Sequence, residues 1–274
     1  MSHPDLYAEV DKSAYTNALA KSSPVTKTFF ALSALLISVS ASYFDMPGVI
    51  SFIVPVVVFT ICTSLTLGLA KVKAHLYLDL FTYPILMLIL SCIFIALFFG
   101  SGTPVIEIPL HWATWTIFKS GISMSVNTFF RVAGALSCLF FLVLTTSITD
   151  LCVLLRRIRI PQAMVEMSML IYRYIFLFLE ISAKMSLAQK LRLKRSGWLS
   201  SIRSLAMLTG SLFIRTLDQG ERTLVAMNAR GYDGEMHILD DFPSARKTAL
   251  VGIVLFDVLL IALVLLTKTS GVVL

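Results

Sequence analysis

The sequence predicts an all-α integral membrane protein with about five transmembrane helices and a basic, largely helical block on one side of the bilayer. Three observations support this. Of 274 residues, 57% are hydrophobic and 14% charged, with a mean hydropathy of +0.85, far from the balance of a water-soluble domain. Apolar runs approaching the roughly 20 residues needed to cross a bilayer occur at 29–44, 49–70, 81–99, 126–146 and 248–266. Fifteen of the 23 lysines and arginines fall between Asp150 and Lys247. The chain thus divides into a polar lead (1–28), four spans (29–147), the basic block (148–247), and a fifth span with a short outer tail (248–274).

The lead holds Asp11, Lys12, Lys21 and Lys27, too polar a set for a cleavable signal peptide, so it is expected to be retained. Pro24 suits the first turn of the first span. Pro47-Gly48 marks a tight outer turn over 43–48, and residues 71–79 form an inner loop. The longer outer loop, 100–121, holds Glu107, His111, Trp112 and Trp115. Tryptophans there read as headgroup anchors of a surface or re-entrant segment, the alternative being a ligand site. Lysine and arginine set orientation. A cytoplasmic N-terminus places Lys12, Lys21, Lys27, Lys71, Lys73 and the basic block inside, leaving Lys119 and Lys268 in the outer loop and tail.

Chemistry within the membrane is sparse. Cys62, Cys92, Cys138 and Cys152 are scattered and read as small buried hydrophobes. His3, His75, His111 and His237 lie on separate segments, so no metal cluster is expected; His3 could chelate only through the chain terminus. No G-x-x-x-x-G-K-[ST] loop is present, so ATP hydrolysis by this chain is not expected, nor is there a catalytic triad or carboxylate pair. Arg131 and Asp257 are the intramembrane charges. Either Arg131 snorkels outward and Asp257 bonds a polar neighbour such as Ser33 or Thr63, or the two serve an ion relay.

The basic block contains two helix-like arms. Arg156-Arg157-Ile158-Arg159 ends a short basic helix before Ile160-Pro161. The first arm runs from Gln162 to about Arg195. Its stretch 164–182 is apolar almost all round, interrupted by Glu166, Arg173 and Glu180 at seven-residue spacing; it is a buried arm or a sixth span. The second arm, from about Ser200 to Arg230, shows the stripe Ile202, Leu205, Leu208, Leu212, Thr216, Gly220, Thr223 and Met227. Asp218 and Arg222 are spaced for an i,i+4 pair, and Gly210 and Gly220 would permit close crossing. Each arm ends on an arginine beside small residues, Lys194-Arg195-Ser196-Gly197 and Ala229-Arg230-Gly231, where glycine provides the C-terminal stop.

These motifs, with Leu155-Arg156-Arg157-Ile158-Arg159-Ile160-Pro161, Tyr172-Arg173-Tyr174-Ile175-Phe176 and Ala226-Met227-Asn228-Ala229-Arg230-Gly231-Tyr232-Asp233-Gly234, resemble the T component of energy-coupling factor (ECF) transporters. The similarity is to the CbiQ-like cobalt and nickel permeases and extends from about Ser23 to the last span. The first motif departs from the commoner Ala-Arg-Gly by reading Lys-Arg-Ser. The resemblance implies a non-catalytic subunit of the inner or plasma membrane whose cytoplasmic coupling domain is built of long crossed helices. It bridges two ABC-type ATPase subunits to a membrane-embedded substrate-capture subunit. ATP and Mg would be bound by the ATPases and the metal ion by the capture subunit, with no cofactor in this chain and no nucleic-acid partner. Arg195 and Arg230 would seat in grooves of the ATPases, flanked by Lys194, Ser196, Ala229 and Gly231; an arginine fork suits a carboxylate there. A T subunit for nickel or a vitamin is the near alternative. More distant ones are a stand-alone secondary transporter, a membrane-bound enzyme, and a scaffold whose basic arms bind anionic lipid.

The charge asymmetry makes a topology prediction. Reporter fusions at Lys73, Gly121, Ser200 and Leu274 should read inside, outside, inside and outside; a cytoplasmic Leu274 would refute the five-span arrangement.

Overall fold

The structure is a computed structural model that describes residues 3–19, 22–40, 50–100, 104–110, 113–192, 197–234 and 247–269. Its elements are α1 His3–Thr16, α2 Pro24–Ser40, α3 Ile50–Ser64, α4 Ala74–Phe98, the strands β1 Pro104–Leu110 and β2 Ala113–Phe118, α5 Lys119–Thr145, α6 Ile148–Arg157, α7 Gln162–Arg192, α8 Trp198–Ala229 and α9 Lys247–Thr269. A π-helical turn, Leu65–Leu69, extends α3. The chain forms two compact units, one of residues 1–147 with 242–274, the other of 148–241.

In the first unit α5 is the hub, packed by α1, α2, α3 and α4. Small residues allow this. A Cβ added at Gly134 would lie 2.8 Å from the Ser38 hydroxyl on α2 and 2.9 Å from the Pro55 carbonyl on α3. Beside it Ser137 and Cys138 of α5 are fully buried, and the Cys138 sulfur lies 3.4 Å from that of Cys62 on α3. Close backbone approach at small residues is how helices associate where lipid removes the hydrophobic drive between them. A larger cluster toward the C-terminal end of α5 joins Ala70, Val72, Leu76, Tyr77, Phe81 and Leu144, with the Phe81 and Phe140 rings 4.9 Å apart.

Polarity in this unit runs opposite to that of a water-soluble core. Ser38, Thr66 and Ser137 are 0% exposed, while Tyr83, Leu78 and Met87 of α4 are 63–70% exposed. Among the described residues two helices, α4 and α5, are long and apolar enough to cross a bilayer, and Pro24–Ser40, Ile53–Leu69 and Leu250–Ala262 are shorter apolar helices. Among the described residues each expected apolar run is largely helical. Pro24 opens α2 as expected, and Pro55 and Pro84 sit inside helices, as membrane helices tolerate.

Two local readings are corrected. The inner loop shrinks to residues 71–73, because α4 begins at Ala74, seven residues before the apolar run; His75 and Asp79 face each other across its first turn at 3.3 Å. The outer loop contains an antiparallel hairpin, pairing Glu107 with Thr116 and Ile108 with Trp115. Its β-branched residues, Val105, Ile106, Ile108, Thr114, Thr116 and Ile117, favour a pleated chain. His111, Trp112 and the expected turn at 43–48 lie outside the described residues.

One contact closes the bundle at the end of α5. The last carbonyls of a helix have no intrahelical donor and lie at the negative end of its dipole. The buried Lys27 ammonium donates to the carbonyl of Thr145 at 2.9 Å and to that of Leu19 at 3.1 Å, and the Asn17 amide donates to the Leu144 carbonyl at 3.1 Å. A lysine read from sequence only as an orientation signal is thus a structural plug.

The contrast between glycines is testable. Gly134→Ala should lower the thermal midpoint in detergent, costing about 1–3 kcal/mol as overpacking does. Gly210→Ala, where nothing lies within 4 Å, should be neutral or gain up to about 1 kcal/mol from helix propensity.

Candidate functional site

The second unit begins with a helix whose charges suit its dipole, Asp150 in the first turn of α6 and Arg156 and Arg157 in the last. The helix stops in a tight reversal: Arg159 N–H donates to Arg156 O and Ile160 N–H to Leu155 O, with Arg159 at φ +65. Pro161 follows, and its carbonyl accepts from Met164 in the first turn of α7. The expected break at Ile160-Pro161 is therefore present. α7, at 31 residues, is not among the described helices apolar enough to span a membrane.

α7 and α8 run antiparallel. Ser204 Oγ donates to Gln189 Oε1 at 2.7 Å, the Tyr174 and Thr223 hydroxyls bond each other, and Tyr232 Oη donates to Glu166 Oε2 at 3.0 Å. As the α7 partner moves toward the N-terminus, the α8 partner moves toward the C-terminus. The covered side of α8 follows Ser204, Leu208, Leu212, Thr216, Gly220, Thr223 and Met227. The expected stripe thus holds from Leu208 onward, but Ile202 and Leu205 are exposed and Ser204 replaces them, because its hydroxyl reaches Gln189. Neither Gly210 nor Gly220 marks a close crossing, since an added Cβ would meet nothing within 4 Å at either. Asp218 and Arg222 do not form the expected ion pair. The i,i+4 pair that does form is Glu180–Lys184, whose ammonium holds the exposed Glu180 carboxyl below its usual range.

The best-defined feature is the C-terminal tip of α8. Gly231 N–H donates to Asn228 O and Tyr232 N–H to Met227 O, with Gly231 at φ +80. These two bonds form a Schellman motif, in which the glycine occupies the left-handed position and Arg230 becomes the C-cap residue. Ala229 is the last helical residue. The Arg230 side chain is exposed and forms no ion pair among the described residues. Behind the tip, Glu166 is 5% exposed, its Oε1 accepting from Gln162 at 2.9 Å and its Oε2 from Tyr232. The sequence signal for this anchor is a carboxylate, one of three charges interrupting an apolar stretch, but its partner lies 66 residues away.

The remaining candidates separate. Lys194, Arg195 and Ser196 lie outside the described residues; Gly197, just after them, has φ +101 and precedes α8. Arg131 lies on α5 beside a groove of about 490 Å³, lined by Leu35, Val39, Ala135 and Leu139 among others. Asp257 of α9 sits against the Ser33 hydroxyl of α2, one of the two neighbours expected for it, and its buried Oδ1 has no partner among the described residues. Arg131 and Asp257 form no ion pair. Among the described residues no three His, Cys, Asp or Glu side chains gather as a metal site would require.

A helical bundle with its polar atoms turned inward and its apolar side chains outward is a membrane protein, here followed by a basic antiparallel helix pair. Over residues 16–238 the chain matches the CbiQ family, described as cobalt transport protein. An uncharacterised protein of Methanocaldococcus jannaschii is 36% identical over 259 residues, covering 94% of this chain and 93% of that one. A protein of Methanocorpusculum labreanum, described as a fused cobalt transport protein CbiMQ, is 32% identical over 93% of this chain and 41% of its own length. The cobalt transport protein CbiQ of Rhodobacter capsulatus is 36% identical over 106 residues, 39% of this chain and 43% of that protein. The chain belongs to the CbiQ family of cobalt transport proteins, in agreement with the resemblance drawn from its arginine motifs.

The cap makes its own prediction. Gly231→Ala should loosen the tip by roughly 1–2 kcal/mol, the penalty of a Cβ in the left-handed region. Amide exchange at position 231 and at Tyr232 should quicken at least fivefold, while exchange in mid-α8 stays unchanged.

Proposed function

We propose that this chain is the transmembrane coupling subunit of an ATP-driven ECF-type importer of cobalt, inserted with its N-terminus in the cytoplasm and crossing the membrane five times. In this reading residues 148–247 form the cytoplasmic coupling domain. Arg195 and Arg230 dock on two ABC-type ATPase subunits, supported by Lys194, Ser196, Ala229 and Gly231. The transmembrane helices meet a substrate-capture subunit, which holds the metal ion, while the ATPases hold ATP and Mg. Closure of the ATPase pair moves the arms, and the membrane helices pass that motion to the capture subunit.

The observation that supports this reading best is the placement of the two arginines around α8. The helix has 32 residues, about 48 Å at 1.5 Å per residue, beginning three residues after Arg195 and ending one before Arg230. In sequence the two arginine motifs flank this one helix, an arrangement suited to two separate partners. Arg230 is exposed on a fixed cap, so its fork can meet a carboxylate bidentately without first breaking an internal pair. The fused CbiMQ relative, of which this chain matches 41%, supports a second membrane component working beside the first. A stand-alone transporter would place polar groups together at mid-membrane, whereas Asp257 meets Ser33 and Arg131 faces an apolar groove.

Arg230→Glu should weaken ATPase retention and uncouple hydrolysis from metal uptake, since losing one partner of a desolvated charge pair costs about 2–5 kcal/mol. Arg195→Glu should do the same more mildly, because Lys194 stands beside it, and Arg→Lys should be intermediate at both sites. The measurement is pull-down of the ATPase subunits with cobalt uptake at matched expression. A double Glu variant that keeps its ATPases and transports at the parental rate would sink the assignment.

A further inference from the structure

The tip of α8 is held in two stages, and only the first is internal to the helix. The Schellman bonds fix Arg230 relative to its own last turn through Met227 and Asn228. They do nothing to fix that turn relative to α7. The second stage is the hydroxyl of Tyr232, two residues beyond Arg230, which donates to Glu166 at 3.0 Å. Glu166 is a suitable anchor, being buried in the second turn of α7, just after the Pro161 break. Its other oxygen accepts from Gln162, one turn earlier, which fixes the carboxylate's orientation. A hydrogen bond to a buried oxygen is stronger than the same bond in water, because the surroundings screen it less.

We propose that Glu166 and Tyr232 are positioning residues for Arg230, forming a latch that holds the α8 tip on the start of α7 so that the arginine meets its ATPase site in one orientation. The inference rests on the reading of Arg230 as a docking residue. The latch makes no contact with the partner and adds no charge at the tip. Its contribution is to remove the freedom that docking would otherwise have to freeze, so that an unlatched tip binds more weakly with every docking group still present.

The test uses the full transporter complex, with retention of the ATPase subunits and cobalt uptake as readouts. Tyr232→Phe, which removes a single oxygen, should reduce ATPase retention about tenfold. Glu166→Ala should match it, and the double variant should be no worse than either single one, because each breaks the same bond. Glu166→Gln still offers an oxygen to Tyr232 and should recover most of the loss. In an Arg230→Ala background Tyr232→Phe should add nothing, as there is no docking group left to position. Parental retention in Tyr232→Phe would overturn the latch while Arg230→Ala still fails to dock. Losses that add in the Arg230→Ala background, or a Glu166→Gln variant as weak as Glu166→Ala, would overturn it too. Normal docking by Arg230→Ala would instead remove the docking reading itself.

Discussion

The buried ammonium of Lys27 at the end of α5 is the contact on which the arrangement of the first unit depends. α5 touches most of its neighbours, so whatever fixes its last turn fixes the bundle. Those last carbonyls cannot be left bare where water is scarce, since each unsatisfied buried polar group costs several kcal/mol in a bilayer-like environment. Lys27 and Asn17 supply the missing donors from the junction of α1 and α2, across 118 and 127 residues of sequence. Because Lys27 also bonds Leu19, the same ammonium ties the lead segment to the bundle. A cation suits this place better than a neutral amide would, because it also answers the negative end of the helix dipole.

Three cations show how the surroundings decide what a basic residue does. Lys27 is buried against carbonyls and serves structure. Arg131 lines an apolar groove on α5. Arg230 stands exposed at a capped helix end, which leaves its five donors available to something outside the chain. Charge counting alone treats the three alike.

Most of the helical framework was legible because it rests on local signals. Apolar runs gave five of the helices, Pro24 and Pro161 marked the starts of α2 and α7, and Gly231 marked the end of α8. What escaped was decided by partners distant in sequence or by competing local preferences. Ala74 to Leu80 reads as a loop by hydropathy, since His75 and Asp79 interrupt it, yet those residues face each other on one helical side. The hairpin at 104–118 escaped because tryptophans near an interface mark a surface or re-entrant segment without fixing its backbone, and the β-branched residues around them had to be weighed instead. At α8 the apolar stripe gave the right face except in the first turn, where one polar bond, Ser204 to Gln189, outweighs the burial of Ile202 and Leu205. In the candidate site, the sequence pointed to Arg230 and its glycine, but Tyr232 and Glu166 are joined only by folding.

The two units answer different demands with different chemistry. In the bundle, helices approach closely through Gly134, Ser38 and Cys138, and the polar atoms near them are turned inward; such packing resists change because a single added methyl has no room. In the helix pair, α7 and α8 meet through a few hydrogen bonds, Gln189–Ser204, Tyr174–Thr223 and Glu166–Tyr232, spread along their length, while much apolar surface stays uncovered. Few buried apolar contacts mean low local resistance to opening. A long helix held at separated points can therefore shift as a body when a bond at one end is strained, whereas a close-packed bundle passes on displacement with little internal loss. The bundle is thus the stiffer of the two units, and the helix pair the one whose parts are held at fewer points.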